Sequence, residues 1–217
     1  MNRPDPSRLI PRKAPRQRRS EETVAIIRTA TIQVLLNQGL AQLTTTRVAE
    51  RAGVSVGTMY QYFPNKQALL FAIVEHRLGT IEQHMLGALS ALEGAGLAVI
   101  AHGIVKAWLD VKLDDLDTSR VIYAVGAEFD LSELIARATE RIRQAIANVL
   151  EQASDARFAD CEGTAFMMAA LVGGSVRAVL EQETTPDDVV RLRRELPIAC
   201  HAYLAACSRS RAVVHAA

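Results

Sequence analysis

Leu43-Thr44-Thr45-Thr46-Arg47-Val48-Ala49-Glu50-Arg51-Ala52-Gly53-Val54-Ser55-Val56-Gly57-Thr58-Met59-Tyr60-Gln61-Tyr62-Phe63-Pro64-Asn65-Lys66 is the stretch on which the reading of this chain turns. Thr45 or Thr46 suits the cap of a short helix through Arg51, because a threonine hydroxyl accepts from amides left unpaired in a first turn. Gly53 stops that helix, since glycine alone enters the left-handed region at little cost. Ser55 then caps a second helix from about Val56 to Phe63, which Pro64 ends. Two short helices about a glycine turn make a helix-turn-helix. On the second helix, Met59 and Phe63 lie one turn apart and point inward, while Val56, Gly57, Thr58, Gln61 and Tyr62 are left to face outward. An outer face of small and hydrogen-bonding groups, with no acid, suits entry into a DNA major groove. Asn65 caps the next helix and puts Lys66 in its first turn. A cation is unfavourable there, and a bound phosphate would account for it.

The segment from Ser20 to Leu78 resembles the DNA-binding domain of the TetR family of bacterial transcriptional repressors. The resemblance rests on Thr45-Thr46, Ala49, Ala52-Gly53-Val54, Thr58-Met59-Tyr60, Tyr62-Phe63, and Asn65-Lys66 followed by Leu69. It implies backbone or base contacts to a double-stranded DNA operator from Thr45, Thr46, Val56, Gly57, Thr58, Tyr60, Gln61, Tyr62 and Lys66. Relatives that read a base with arginine at position 46 differ from this chain, and position 61 varies, so the operator sequence stays open.

Charge is distributed unevenly. Met1 to Lys66 carries 11 basic and 4 acidic residues, and the remainder 14 and 20, although the whole chain is near neutral at +1. The basic end is where an anionic polymer would bind. Residues 1–19 mix Pro4, Pro6, Pro11 and Pro15 with seven basic residues, which reads as a disordered arm, either a solubilising tail or a phosphate-binding extension. It has no apolar centre of the kind a signal peptide needs.

Helices account for the rest, so the expected fold is all-α: a three-helix DNA-binding domain over 20–79, with the helix-turn-helix at about 44–63, and a helical effector-binding and dimerisation domain over 80–217. Ser20 with Glu21 and Glu22 starts the first helix, which ends at Gly39 and buries Val24, Ile27, Ala30, Val34 and Leu35. The helix after Asn65 keeps its apolar period through Leu70, Val74, Leu78, Ile81, Met85 and Leu89, beyond the first domain. Further helices are expected over 97–113, from Ser119 to about Phe129, from Asp130 or Ser132 to Gln152, over 155–181, and from Pro186 on, where Pro197 should kink or split the last. No strand pattern is found. The apolar run from Thr164 to Val176 is shorter than the roughly 20 residues of a membrane span, and no membrane association is expected.

The family resemblance implies that the helices over 155–181 and 186–207 form a four-helix bundle with a second subunit, a homodimer reading a palindrome; an intramolecular core helix is the alternative. It also implies a pocket for a small apolar effector. Candidate lining residues are Trp108, Tyr123, Phe129, Phe166 and Met168, with His102 and Glu128 as polar anchors, though aromatic residues at helical spacing are more often core. Cys161, Cys200 and Cys207 lack metal-ligand spacing and suit a reducing cytoplasm. No cofactor or metal is called for, and neither Gly173-Gly174-Ser175 nor Gly94-Ala95-Gly96 makes a catalytic loop. The leading expectation is a ligand-released repressor. A regulator without an inducer, controlled by a partner or acting as an activator, is second, and a helical-bundle enzyme is remote.

Overall fold

The computed structural model describes residues 18–182 and 185–210, so the expectations for the arm over 1–17 lie outside the described residues. Among the described residues nine helices run in order: α1 Arg18–Gln42, α2 Thr45–Ala52, α3 Val56–Tyr62, α4 Lys66–Ser90, α5 Leu97–Leu113, α6 Leu116–Gly126, α7 Ser132–Glu151, α8 Cys161–Glu181 and α9 Pro186–Cys207. Two three-residue strands, β1 Ala156–Phe158 and β2 Ser208–Ser210, pair antiparallel with Phe158 opposite Ser208. That ladder is the exception to the all-α expectation. Three residues are too few to show an alternating pattern, so only the pairing identifies them as strands.

The chain divides into two compact units, with boundaries inside α4, at the start of α6 and near the start of α7. The first runs to Leu78 and also takes Asp117–Leu134; the second comprises Gly79–Leu116 and the chain from Ile135. Each has its own core. In the first, Ile27, Val34 and Leu35 of α1 pack with Val48, Met59, Phe63, Leu69 and Ile73. Thr31 is fully buried there, and its hydroxyl donates to the Ile27 carbonyl at 2.7 Å, which satisfies the one polar atom that would otherwise be stranded. Ile122, Val125 and Phe129 join this core, Phe129 meeting Phe71 edge-to-face with centroids 5.9 Å apart. Residues 117–134 therefore share a core with α1–α3 and the start of α4.

The second core gathers Ile81, Met85 and Leu89 of α4, Ile100, Ile104 and Leu109 of α5, Ile146 and Leu150 of α7, Met168 and Val172 of α8, and Cys200 and Leu204 of α9. The N-terminus of α5 is held by Asp155, whose Oδ1 accepts from the Leu97 amide at 2.8 Å. By length and composition α1 and α8 could each cross a membrane. Each sends some of its apolar side chains into these cores and leaves others exposed, Ile26 and Leu36 on α1 and Phe166 and Met167 on α8, and a core helix passes the same test.

Several boundaries differ from the sequence reading. Helix α1 begins at Arg18, so Ser20 lies in its first turn rather than capping it. Gly39 breaks the helical geometry where expected, at φ 74°. Helix α6 starts at Leu116, and Ser119 is a buried interior residue whose hydroxyl accepts from Arg77, not a cap. Helix α8 starts at Cys161, because residues 156–158 pair as a strand and Asp160 provides the cap, accepting from the Gly163 amide at 2.8 Å. Helix α9 opens with the full capping box of Thr185 and Asp188 and continues through a buried Pro197 without splitting.

Candidate nucleic-acid interface

The three consecutive threonines divide their work. Thr44, not Thr45 or Thr46, caps α2, its hydroxyl accepting from the Arg47 amide at 3.2 Å. Ala52 ends the helix, and Gly53 takes the left-handed turn at φ 66°. Ser55 caps α3, accepting from the Thr58 amide at 3.0 Å, and its hydroxyl lies 2.9 Å from Thr58 Oγ1. With Thr44 used as the cap, Thr45 is free to reach across the turn: its Oγ1 lies 3.1 Å from the Tyr60 hydroxyl. That bond holds in place a tyrosine ring that is 46% exposed.

Helix α3 carries no charge, and its outer face is Val56, Gly57, Tyr60 and Gln61, all exposed, with Thr58 half-buried beside them. Thr46 is also exposed and Thr45 half-buried. Inward, Met59 and Phe63 are fully buried as expected. Tyr62 is a correction: it points into the core at 8% exposure, because it lies three residues after Met59 on the same side of the helix. Lys66 has a partner within the chain: its ammonium donates to the Leu40 carbonyl at 2.7 Å, which ties the start of α4 to the end of α1 and occupies one of its three donors. Asn65 caps α4 as expected, accepting from the Ala68 amide at 2.8 Å.

Two basic residues that the sequence reading passed over flank this surface. Arg47 is exposed, with Nη1 held by the Gln42 carbonyl at 2.6 Å and the Gln42 side chain at 2.9 Å; Arg51 is exposed with Nε on Gln33 Oε1 at 2.7 Å. Both have their guanidinium groups braced by neutral oxygens, so their charge is uncompensated by these contacts. The available signal was that they are the only cations between Arg28 and Lys66.

The effector candidates are scattered. Tyr123, Glu128 and Phe129 belong to the first unit, with Phe129 buried in its core, and His102, Trp108, Phe166 and Met168 belong to the second. Met168 is fully buried core, whereas Phe166 is 60% exposed on α8. Trp108 is half-buried with Lys112 Nζ 5.1 Å above its ring, and its indole Nε1 is buried with no hydrogen-bond partner among the described residues. His102 alone of the seven lines the groove of about 600 Å³ between α5 and α9. Leu92, Val99, Val105, Leu109 and Pro197 form the walls of that groove.

The sequence of the helix-turn-helix unit, residues 27–73, matches the family model described as bacterial regulatory proteins, tetR family, and residues 97–204 match the tetracyclin repressor-like C-terminal domain. The chain belongs to the tetR family of bacterial regulatory proteins. Among curated relatives, it is 28% identical over 119 residues to the nucleoid occlusion factor SlmA of Haemophilus influenzae, covering 52% of this chain and 53% of that protein. It is 45% identical over 60 residues to the class C tetracycline repressor protein of Escherichia coli, covering 28% of this chain and 27% of that one. The SlmA match thus spans about half the relative's length. In fold, the chain is similar to a putative TetR-family regulator from Mesorhizobium loti, with a TM-score of 0.67 at 18% identity over 88% of this chain and 98% of that one. It is also similar to SmeT of Stenotrophomonas maltophilia in complex with triclosan, at TM-score 0.61 and 20% identity over 85% and 91% of the two chains. Members of the tetR family are regulators rather than enzymes, and an uncharged, braced α3 is compatible with that role.

Proposed function

We propose that this tetR-family protein is a DNA-binding transcriptional repressor that acts as a homodimer on a palindromic operator and is released by a small-molecule effector. The observation that carries the reading is the outer face of α3. Val56, Gly57, Tyr60 and Gln61 are exposed together on a helix without charge, capped by Ser55 and braced through Tyr60 to Thr45. Such a face admits close approach of DNA and offers the Gln61 amide and the Tyr60 hydroxyl to base edges and phosphates. Arg47 and Arg51 supply the flanking positive charge. Thr46 and Thr58 complete the contact set, and Lys66 contributes by fixing the end of α1 against the start of α4.

One recognition helix of seven residues reads few base pairs, which motivates a dimer. Support comes from α8 and α9: Phe166 and Met167 on one and Val190 and Ile198 on the other are each more than 40% exposed. Apolar side chains of that size left on two packed helices fit a second copy of the same surface. For the effector, the support is the open groove on the second unit and the unpartnered indole N–H of Trp108. Action on DNA inside the cell places the protein in the cytoplasm.

A second reading is DNA binding without a small-molecule inducer, under the control of a protein partner; several matched relatives carry the name nucleoid occlusion factor rather than repressor. Fluorescence anisotropy with a labelled mixed-sequence duplex tests the interface common to both. The double variant Tyr60→Ala, Gln61→Ala should bind at least about tenfold more weakly than the parent at equal salt, a loss of about 1.4 kcal/mol. Equal affinity would move the DNA contact away from α3.

A further inference from the structure

The groove between α5 and α9 has a one-sided chemistry. Its walls are aliphatic, and the three polar side chains that line it, His102, Lys106 and Arg193, are all bases. Among the described residues no acidic side chain lines it. The carboxylates that balance these bases stand outside the lining. Asp110 accepts from Arg193 Nη1 at 2.9 Å and pairs with Lys106, and Asp114 accepts from Arg193 Nη2 at 2.7 Å.

These pairs orient the cations without exhausting them. Lys106 remains 77% exposed, and an ammonium has three donors of which Asp110 occupies one. The His102 Nδ1 lies 3.0 Å from the Ala98 carbonyl, which only accepts, so Nδ1 carries the proton and Nε2 is left available. A volume of about 600 Å³ is that of a small-ligand site. Val99 stands on the groove wall, an apolar side chain left 57% exposed by the described residues.

We propose that this groove binds an aliphatic carboxylate, with its chain against the α5 and α9 walls and its head group on the two ammonium donors of Lys106 that Asp110 leaves open. The lining selects the class: an apolar groove whose charged lining groups are an exposed ammonium with open donors and a guanidinium, with the balancing carboxylates held outside the lining, takes an amphipathic anion in preference to a cation or a neutral chain. The inference deepens the effector reading above and rests on it only for the consequence for DNA. Since the groove joins α5 to α9, and α9 belongs to the proposed dimer surface, occupancy has a direct mechanical route to subunit spacing.

Calorimetric titration of the full chain with decanoate tests it, with decanol and decylamine as neutral and cationic probes of the same chain length. The expected result is saturable binding of decanoate, about tenfold weaker binding of decanol, and none of decylamine. Lys106→Met, which keeps the stem and removes the charge, should weaken decanoate about tenfold while leaving decanol unchanged. Val99→Trp, at an exposed position that does not disturb the core, should block both. No heat from decanoate with the folded parent overturns the site, as does binding that neither variant alters. A change of oligomeric mass in Val99→Trp without decanoate binding assigns the groove to a second copy and likewise overturns it. Decanoate binding that leaves DNA affinity unchanged upholds the site and removes it from the proposed release of DNA.

Discussion

Gly57 separates stability from function more cleanly than any other residue of α3. It is exposed, and a Cβ there would meet nothing closer than Ser55 Oγ at 3.7 Å, so alanine fits the folded chain. Alanine is also the better helix former by up to about 1 kcal/mol. Gly57→Ala should therefore raise or preserve the melting temperature while weakening DNA binding, because the added methyl stands on the face that approaches the groove; a thermal melt with parallel anisotropy checks both. Gly53→Ala should do the reverse. At φ 66° the substituted side chain is strained, and the expected loss is about 1 kcal/mol of stability from a turn that is not itself an outward-facing contact. His76 gives a pH signature. Burial first, and then the charges of Arg28 and Arg77, hold its imidazole below the ordinary value of 6.5. The unfolded chain thus takes up this proton before the folded one does, so stability falls as pH drops below 6.5 and levels off once the folded imidazole is protonated. His76→Gln should flatten that part of a melting-temperature profile between pH 7 and pH 5, and an unchanged slope would assign it to other groups.

Among the elements, short helices with a cap and a stop were legible from residue type, whereas caps inside repeats and tertiary overrides were not. The α2–α3 pair is delimited by Gly53, Ser55 and Pro64, each of which has one local conformational role, and the structure follows them to within a residue. Thr44, Thr45 and Thr46 offer the same hydroxyl three times, and only the three-dimensional position of Tyr60 decides which is free to bridge. Tyr62 reads as outward from its hydroxyl, but it lies three residues after Met59 on the same side of α3, and its ring goes to the core. Lys66 looks anomalous against its own helix dipole; its partner within the chain, the carbonyl of Leu40, lies 26 residues away in sequence. Strands β1 and β2 are separated by about 50 residues and are each three residues long, so no local pattern could announce them. Helix α9 tests the capping argument directly. Thr185→Ala removes the hydroxyl that accepts from the Asp188 amide at 3.3 Å and should cost about 1 kcal/mol, seen as a lower denaturant midpoint with an unchanged slope.

At the scale of the molecule, two separate cores and an unevenly placed charge give a chain with a basic DNA-facing end and an acidic remainder. The effector candidates were the least legible part of the sequence. Aromatic and methionine side chains at helical spacing do not reveal whether they face a core, a groove or a partner, and the structure sends Met168 to the core, Phe166 to the surface and Phe129 to the other unit. Cysteine chemistry follows the same geometry. Burial pushes the Cys200 thiol up to about 11, so at pH 8 it should resist alkylation while the exposed Cys207 reacts, a difference that mass spectrometry of iodoacetamide-treated native protein will register.

The central claim is that α3 of a paired protein reads DNA. Selection of bound duplexes from a random pool by the full chain, at stated salt, tests it most directly. The account predicts enrichment of a palindrome whose half-sites lie about one helical turn, roughly 34–36 Å, apart or a multiple of that spacing, with the enriched bases changing in the Gln61→Ala protein. Recovery of no sequence preference by folded protein, or of the same sequence with and without Gln61, would contradict it.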